Sequence, residues 1–340
     1  MVAIAPRDEY VDRLKDLGCE YVELPMKVSG INPLSDLLLL LRCWRKLRTA
    51  DLDVLLTYTI KPNIYGAIAC RMLGIPIICN VSGLGTVFIK HTIISTIAIW
   101  LYRISVGQSE HVFFQNDEDQ TLFMSRVKIR GNTSLLKGSG VDLTQFQPRH
   151  YSNPHPVFLM IGRPMIEKGI YEFAGSAEIV LQRFPDCQFQ LIGRWDTNDK
   201  RSVSRDQMEE WQEKGILEYL GTSDHIQEMI AKADAIVLPS YREGTPRTLL
   251  EGGAMGKILI TTDVPGCHHV VKDGHNGFLA NVRSKQSLAE AIFRYLQLEP
   301  IEKEAMQKKS REYIEEHFDE KLVIAAYKRV IQQLSGNAES

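Results

Sequence analysis

The chain has 340 residues, 44% of them hydrophobic and 24% charged, with a formal net charge of −2. That length gives room for two domains of ordinary size, and a sequence pI of about 6.5 excludes the global positive field of a nucleic-acid binder. The six cysteines (Cys19, Cys43, Cys70, Cys79, Cys187 and Cys267) form no C-x-x-C pair and have no histidine at zinc-ligand spacing, so they read as buried thiols in a reducing cytoplasm.

The N-terminus lacks the basic region, apolar core and small-residue cleavage site of a secretory leader. In the first half, strands are expected at Val2–Ala5, Tyr21–Leu24, Val54–Thr57, Ile75–Asn80 and His111–Gln115, with helices at Glu9–Leu17, Leu34–Leu47, Asn63–Leu73 and His91–Val106. The longest uncharged apolar stretch, Thr92 to Tyr102, is about half the roughly 20 residues of a spanning helix. Turn residues accumulate from Gly138 to Pro156, where the domain boundary is expected. The second half resumes with strands at Val157–Ile161, Cys187–Ile192, Leu217–Leu220, Ala235–Leu238 and Ile258–Thr262, a helix from Gly169 to about Phe184, and closing helices at Glu302–Phe318 and Glu320–Leu334. Strands alternating with helices predict two doubly wound parallel sheets. The expected domains are 1–148, 149–318, and a terminal helical segment 319–340 returning to the first domain.

The densest site signal is the string from Pro239 to Glu251, directly after a strand and opening a helix. Thr245 is a suitable N-cap and Pro246 a suitable first helical residue, so the free N–H groups of the helix form an anion site at the carboxyl edge of the sheet. Gly244 permits close approach of a ligand to the backbone. Glu243 in the loop and Glu251 in the helix are suited to accept hydrogen bonds from sugar and ribose hydroxyls. Read singly they would be a solvated loop carboxylate and a surface helix carboxylate. A second signal, Gly162 to Gly169, places Arg163 and Lys168 on another strand-to-helix loop of the same sheet, where two cations suit a diphosphate.

These strings resemble the family 4 glycosyltransferases of the GT-B fold, which consists of two Rossmann-like α/β domains. The resemblance rests on the G-R-x4-K-G loop, the E-G-x-P-x3-L-E string with its E-x7-E spacing, and Thr262–Cys267 followed by Asp273–Gly277. In the first half, Ile60–Gly66, Asn80–Gly85 and Phe114–Asn116 resemble the branch that builds bacterial lipid-linked glycans, including capsular and O-antigen polysaccharides, with N-acetylgalactosaminyl transferases among them. The resemblance implies a retaining, metal-independent transfer of a hexose or N-acetylhexosamine from a UDP-sugar to a polyprenyl-diphosphate-linked glycan, with no cofactor. It further implies that Arg163 and Lys168 hold the donor diphosphate, Glu243 the donor sugar, and Glu251 the ribose. Gly162, Gly244, Thr245 and Pro246 would shape the loops beneath. Ser82, Gly83 and Gly85 are the acceptor-side candidates. The alternatives are a GT-B-fold UDP-N-acetylglucosamine epimerase and a non-catalytic nucleotide-sugar-binding homologue.

The acidic pair Asp51 and Asp53 precedes a strand and reads as a turn rather than a metal site, and Asp117–Asp119 reads as a first helical turn. The family's histidine after the strand at Ile75–Asn80 is replaced by Val81–Gly85, which leaves no nameable side-chain base. Gly252 and Gly253 are expected to weaken their helix by about 1 kcal/mol each, and His268 and His269 read as structural or solvent-facing. Arg42, Arg45, Lys46 and Arg48 crowd around Trp44 beside a five-leucine run, a mixture suited to the anionic inner face of a cell membrane. The stripe Ile93, Ile97, Trp100, Leu101 and Ile104 either joins that interface or, as its spacing more often means, packs in the core. Finally, Val2–Ala5 resembles the family's second strand, so the opening strand and glycine-rich loop are expected to be absent, leaving unpaired backbone groups in the first sheet.

Overall fold

The computed structural model describes residues 1–26, 32–84, 88, 92–149 and 151–336. The chain forms two compact units, Met1–Leu135 with Lys328–Ser340, and Leu136–Tyr327.

In chain order the first unit contains β1 (Val2–Ala5), α1 (Val11–Asp16), β2 (Glu20–Glu23), α2 (Pro33–Thr49), β3 (Leu55–Tyr58), α3 (Ala67–Leu73), β4 (Ile77–Val81), α4 (Ile93–Ile104), β5 (His111–Phe114), α5 (Asp117–Met124) and β6 (Asn132–Leu135). Helix α2 starts where the Asn32 side chain accepts the N–H groups of Leu34 and Ser35, with Pro33 at the first turn. It buries Asp36, Leu39, Cys43 and Leu47, a stripe at helical spacing. Strands β3, β4, β5 and β6 form one parallel sheet in that order, and among the described residues β1 pairs in parallel with β2 alone. The polar strand β6 has no apolar run to announce it; its ladder with β5 makes it a strand, with His111 opposite Asn132 and Phe114 opposite Leu135.

Helix α4 departs from the expectation of core. Ile93 is 82%, Ile97 51% and Trp100 56% exposed, whereas Ser95 and Tyr102 are buried. The apolar residues exceed what one helical face can bury, and the face turned inward is the one bearing Ser95 and Tyr102. Asp117–Asp119 do form the first turn of α5, capped by Asn116, which accepts the N–H of Asp119 at 2.7 Å. Among the described residues no helix is long and apolar enough to cross a membrane. All six cysteines are free and buried.

The second unit runs β7 (Val157–Ile161), α6 (Ile170–Leu181), β8 (Gln188–Ile192), α7 (Arg205–Glu213), β9 (Glu218–Tyr219), α8 (Ile226–Lys232), β10 (Ala235–Leu238), α9 (Arg247–Ala254), β11 (Ile258–Thr262), α10 (Cys267–Val270), β12 (Gly277–Ala280), α11 (Lys285–Leu296), α12 (Pro300–Phe318) and α13 (Glu320–Gly336). Its six strands are all parallel in the order β12-β11-β10-β7-β8-β9. Alternation along β7 divides the core: Phe158 and Met160 join Phe173 and Leu288 in one cluster, and Leu159 and Ile161 join Leu250 and Ile314 in another. Gly252 and Gly253 sit inside the second cluster. A Cβ on Gly252 would lie 2.6 Å from Ile236 Cγ1, and one on Gly253 2.6 Å from Ile314 Cγ1. Their low helix propensity is offset by the close seating of α9 between the sheet and α12.

Residues 136–148, expected in the first domain with the boundary among these turn residues, are packed into the second unit. Val141 N–H donates to Phe318 O at 2.9 Å, and Arg311 donates to Phe146 O at 2.7 Å and Ala254 O at 2.5 Å. These backbone groups, which a free linker would give to water, tie residues 136–148 to α9 and α12. The last helix starts in the second unit, and from Lys328 it belongs to the first.

Lys257, just before β11, is buried and donates its ammonium to Ala231 O at 2.8 Å. Burial lowers its pKa from 10.5 to about 8, against the opposing pull of Asp234. Between those values the unfolded chain binds the proton that the folded chain has lost, so this group adds stability as pH rises. The buried thiols act in the opposite direction, since burial raises Cys70 and Cys267 from 9 to about 12. The lysine is therefore isolated by comparison with Lys257→Met. Relative to that variant, the wild type should gain on the order of 1 kcal/mol per pH unit above pH 8, measured by urea unfolding of both proteins in parallel.

Candidate active site

In the second unit, β7 pairs with β10, Ala235 opposite Phe158 and Ile236 opposite Leu159. Strand order reverses at this pair, so the loops leaving their carboxyl ends diverge and open a crevice between them. The two loops are locked together at Gly169. Its φ of +76° suits glycine, and a Cβ there would lie 2.1 Å from Pro239 O. Tyr241 N–H donates to Glu167 O at 2.9 Å across the same seam.

That seam brings Lys168 onto Glu243. The ammonium donates to Glu243 Oε1, and Ser240 Oγ donates to the same oxygen at 2.6 Å. The side chains of Lys168 and Glu243 are 30% and 13% exposed, so this ion pair is partly shielded from water. Ser240 is fully buried, and its carbonyl accepts the Thr262 hydroxyl at the end of β11. The loop after β11 closes the other side: Glu243 N–H donates to Pro265 O at 3.3 Å, and a Cβ on Gly266 would lie 2.4 Å from Gly244 O.

Helix α9 starts at Arg247, one residue later than the sequence suggests. Pro246, not Thr245, is the N-cap, because Pro246 is still extended at φ −74° and ψ 111° while its carbonyl already accepts Leu249 and Leu250 N–H. Glu251 is not a surface carboxylate. It is 8% exposed, Arg247 Nε donates to it at 2.8 Å, and burial raises its pKa while Arg247 opposes the shift. Arg163 does not join the Lys168–Glu243 cluster: it is exposed, and its guanidinium makes no hydrogen bond or ion pair among the described residues. Gly162 beside it, with φ +156°, faces open space.

Sequence reading missed two contributors. Ser240 carries no motif signal beyond its place in the string, and Gly138 lay among the turn residues of the expected domain boundary. A Cβ on Gly138 would lie 2.7 Å from Thr245 Cβ, so this turn packs directly on the loop ahead of α9. His268 and His269 are half-buried; His268 Nδ1 lies 2.8 Å from Asp263 Oδ1 and the two rings meet edge to face at 4.6 Å.

In the first unit, Ser82 and Gly83 directly follow β4, Ser82 exposed and Gly83 at φ +145°. Gly85 lies outside the described residues. The stronger structural signal is at the end of the neighbouring β3. Thr59 has φ +67°, unusual for a β-branched residue, and leads into a π-helical turn at Pro62–Gly66. Asn63 there is 2% exposed and donates to Asn80 O at 2.8 Å, while its Oδ1 has no partner among the described residues. Lys61 Nζ pairs with Asp36 Oδ1 at 3.0 Å, both side chains largely buried. Backbone strain of this kind is a mark of binding sites, and only the dihedral angles display it.

Two Rossmann-like α/β units, the second with a cationic and carboxylate cluster at its topological switch point, define the GT-B glycosyltransferase class. The family model for glycosyl transferases group 1 matches residues 143–313, and the chain belongs to that family. It is 26% identical to the N,N'-diacetylbacillosaminyl-diphospho-undecaprenol alpha-1,3-N-acetylgalactosaminyltransferase of Campylobacter jejuni, over 98% of this chain and 91% of that protein. It is 24% identical to the UDP-Gal:alpha-D-GlcNAc-diphosphoundecaprenol alpha-1,3-galactosyltransferase of Escherichia coli, over 80% of this chain and 73% of that protein. Among solved structures, Anabaena HepE in complex with UDP and glucose superposes with a TM-score of 0.78 at 17% identity, covering 98% of this chain and 91% of that one. Sucrose-phosphate synthase of Thermosynechococcus elongatus gives 0.80 at 20% identity, covering 95% and 84%.

The seam at Gly169 is open to a direct test. Gly169→Ala forces a side chain onto a left-handed backbone and into Pro239 O, at a cost of about 1–3 kcal/mol. The urea midpoint of the second unit should fall accordingly, and amide exchange of Tyr241, whose N–H is held by Glu167, should accelerate.

Proposed function

We propose that this glycosyltransferase moves a hexose or N-acetylhexosamine from a UDP-sugar to a polyprenyl-diphosphate-linked glycan in surface polysaccharide assembly. Transfer proceeds with retention and without a metal ion or other cofactor. The observation that carries this reading is the Lys168–Glu243–Ser240 cluster next to the start of α9. A cation and a helix N-terminus together offer the charge complement of a diphosphate. Lys168 and Arg163 stabilise the negative charge that grows on the departing UDP as the glycosidic bond breaks. In this reading Lys168 exchanges its internal partner Glu243 for phosphate oxygens when donor arrives. The carboxylate thereby released accepts hydrogen bonds from the sugar hydroxyls. Glu251, already oriented by Arg247, accepts the ribose hydroxyls, and Ser82, Gly83 and Gly85 contribute on the acceptor side. The diphosphoundecaprenol acceptors in the names of the Campylobacter and Escherichia relatives support the lipid-linked acceptor.

The measurement is UDP release from a panel of UDP-sugars with and without a polyprenyl-diphosphate glycan, in the presence of EDTA. Acceptor-dependent turnover should persist with EDTA, and Lys168→Ala and Glu243→Ala should each lower kcat by about 10²–10³-fold. Conversion of the UDP-sugar to its epimer without acceptor and without net UDP release would identify an epimerase instead, and nucleotide release indifferent to both variants would overturn the site.

The same reading places the protein peripherally on the cytoplasmic face of the membrane. Helix α2 exposes Leu34, Leu37, Leu38 and Leu41 alongside Arg42, Arg45, Lys46 and Arg48, and α4 exposes Ile93, Ile94, Ile97 and Trp100. Apolar side chains to enter the headgroup boundary, with cations to meet anionic lipid, are the two halves of interfacial binding. Co-sedimentation with phosphatidylglycerol-containing vesicles should weaken as salt rises and should fall further in Arg45→Glu/Arg48→Glu. Absence of binding at every salt concentration would remove this part of the reading.

A further inference from the structure

Tyr241 directly follows Ser240 on the loop that carries Glu243, and it is held from three directions within the second unit. Its N–H donates to Glu167 O at 2.9 Å. Its hydroxyl donates to Glu172 Oε1, in the first turn of α6, at 2.9 Å. The Arg283 guanidinium covers its ring, with Cζ 4.7 Å from the centroid. The three anchors thus come from the loop after β7, from α6 and from the loop between β12 and α11.

Two of these anchors are held against local preference. Arg283 has φ +59°, a left-handed backbone unusual for any residue with a side chain. The flanking bonds enforce it: Asn281 N–H donates to Ser287 Oγ at 2.9 Å, and Ser284 caps α11 by accepting Ser287 N–H at 3.2 Å. Arg283 is exposed, so no core needs its side chain, and glycine would suit the backbone better. What arginine adds is a cation over the face of Tyr241. Glu172 is also placed against preference, since its Oε2 is buried with no hydrogen-bond partner among the described residues. Strain and unsatisfied polar atoms held by their surroundings gather at functional sites. Burial, and then the bond to Glu172, raise the Tyr241 phenol to about 12, so it remains a donor throughout the neutral range.

The place of this clamp in the chain gives its role. The Glu243 carboxylate is bonded by Lys168 and by Ser240. In the donor chemistry proposed above, on which this inference rests, Lys168 leaves for phosphate oxygens, and Ser240 must then orient the carboxylate. The Ser240 carbonyl is tied to Thr262, and its other neighbour along the loop is Tyr241. We infer that Tyr241 is a positioning residue: clamped between Glu172 and Arg283, it keeps Ser240 and the Glu243 carboxylate in place against the donor sugar after Lys168 has exchanged partners. The phenol touches no reacting atom. Loosening it lets the carboxylate drift from the productive geometry while the groups that hold the nucleotide stay put, so the loss falls on kcat rather than on donor binding.

The test follows acceptor-dependent UDP release by the full chain, at a temperature where every variant is folded, with Glu243→Ala run alongside. Tyr241→Phe keeps the ring beneath Arg283 and the backbone bond to Glu167, and removes the hydroxyl alone. It should lower kcat by about 10–10²-fold, while the KM for the UDP-sugar and the Kd for UDP stay within about twofold. Glu172→Ala should do the same, and the double variant should be no slower than either single one, because both remove one interaction. Arg283→Gly separates positioning from stability: glycine accepts the left-handed backbone, so the urea midpoint should stay at or above that of the wild type while kcat falls about three- to fivefold. The inference is overturned if Tyr241→Phe lowers the urea midpoint and leaves kcat unchanged, or if the Tyr241 and Glu172 effects multiply in the double variant. The donor reading survives either result so long as Glu243→Ala is impaired. If Glu243→Ala turns over like the wild type, the donor reading falls and this inference falls with it. Should Tyr241→Phe not fold, Glu172→Ala and Arg283→Gly decide the matter by the same split between kcat and KM.

Discussion

The second unit depends on the pairing of β7 with β10. These strands are far apart in sequence, yet their adjacency decides which loops meet. Because the order reverses there, the connection from β7 and the connection from β10 leave in opposite senses and cannot fill the space between them. Every side chain assigned to the donor reaction comes from one of those two connections or from the helix that follows. Moving β10 to the edge of the sheet would leave every strand possible and separate Lys168 from Glu243.

The close approaches at the carboxyl edge serve this adjacency. Gly169 against Pro239, Gly266 against Gly244 and Gly138 against Thr245 are all contacts at which a Cβ would collide with the neighbouring residue. The first two let the loops after β7 and β11 pack backbone to backbone on the loop after β10, and the third seats the Gly138 turn on the Thr245 side chain, which gives the Lys168–Glu243 pair a firm frame. The pair is partly shielded and anchored by a hydroxyl from Ser240. In such a setting a charge pair has more electrostatic weight than at an open surface, and leaving one member unpaired costs more. That balance makes the carboxylate and the ammonium suited to exchanging each other for the polar groups of a ligand.

The first unit obeys the same rules with a different outcome. Its core strands β4 and β5 are fully buried, while strain and unusual polarity gather at the end of β3, where Thr59, Asn63 and the Lys61–Asp36 pair lie. A buried ion pair gains little net stability over an apolar pair of the same volume, so its presence beside a strained turn speaks for positioning rather than for stability.

Much of this was legible in the sequence, because periodicity is a local property. The expected strands at Val157–Ile161, Ala235–Leu238 and Ile258–Thr262 coincide with β7, β10 and β11, and the strings around Lys168 and Glu243 marked the family. Strands β6 and β12 were missed because a short polar or glycine-containing segment becomes a strand only by pairing with a neighbour. Burial of Glu251 and exposure of Ile93, Ile97 and Trp100 were equally out of reach, since a helical stripe says which residues share a face and not which face is turned inward. The sequence by itself determined most of the element types, the two-unit α/β class and the residue kinds of the donor site. Tertiary structure alone decided that Lys168 meets Glu243, that Arg163 stands apart, and that Gly138 supports Thr245. Each of these is a relation between segments distant in the chain, set by strand order and close packing, which no local pattern of residues encodes.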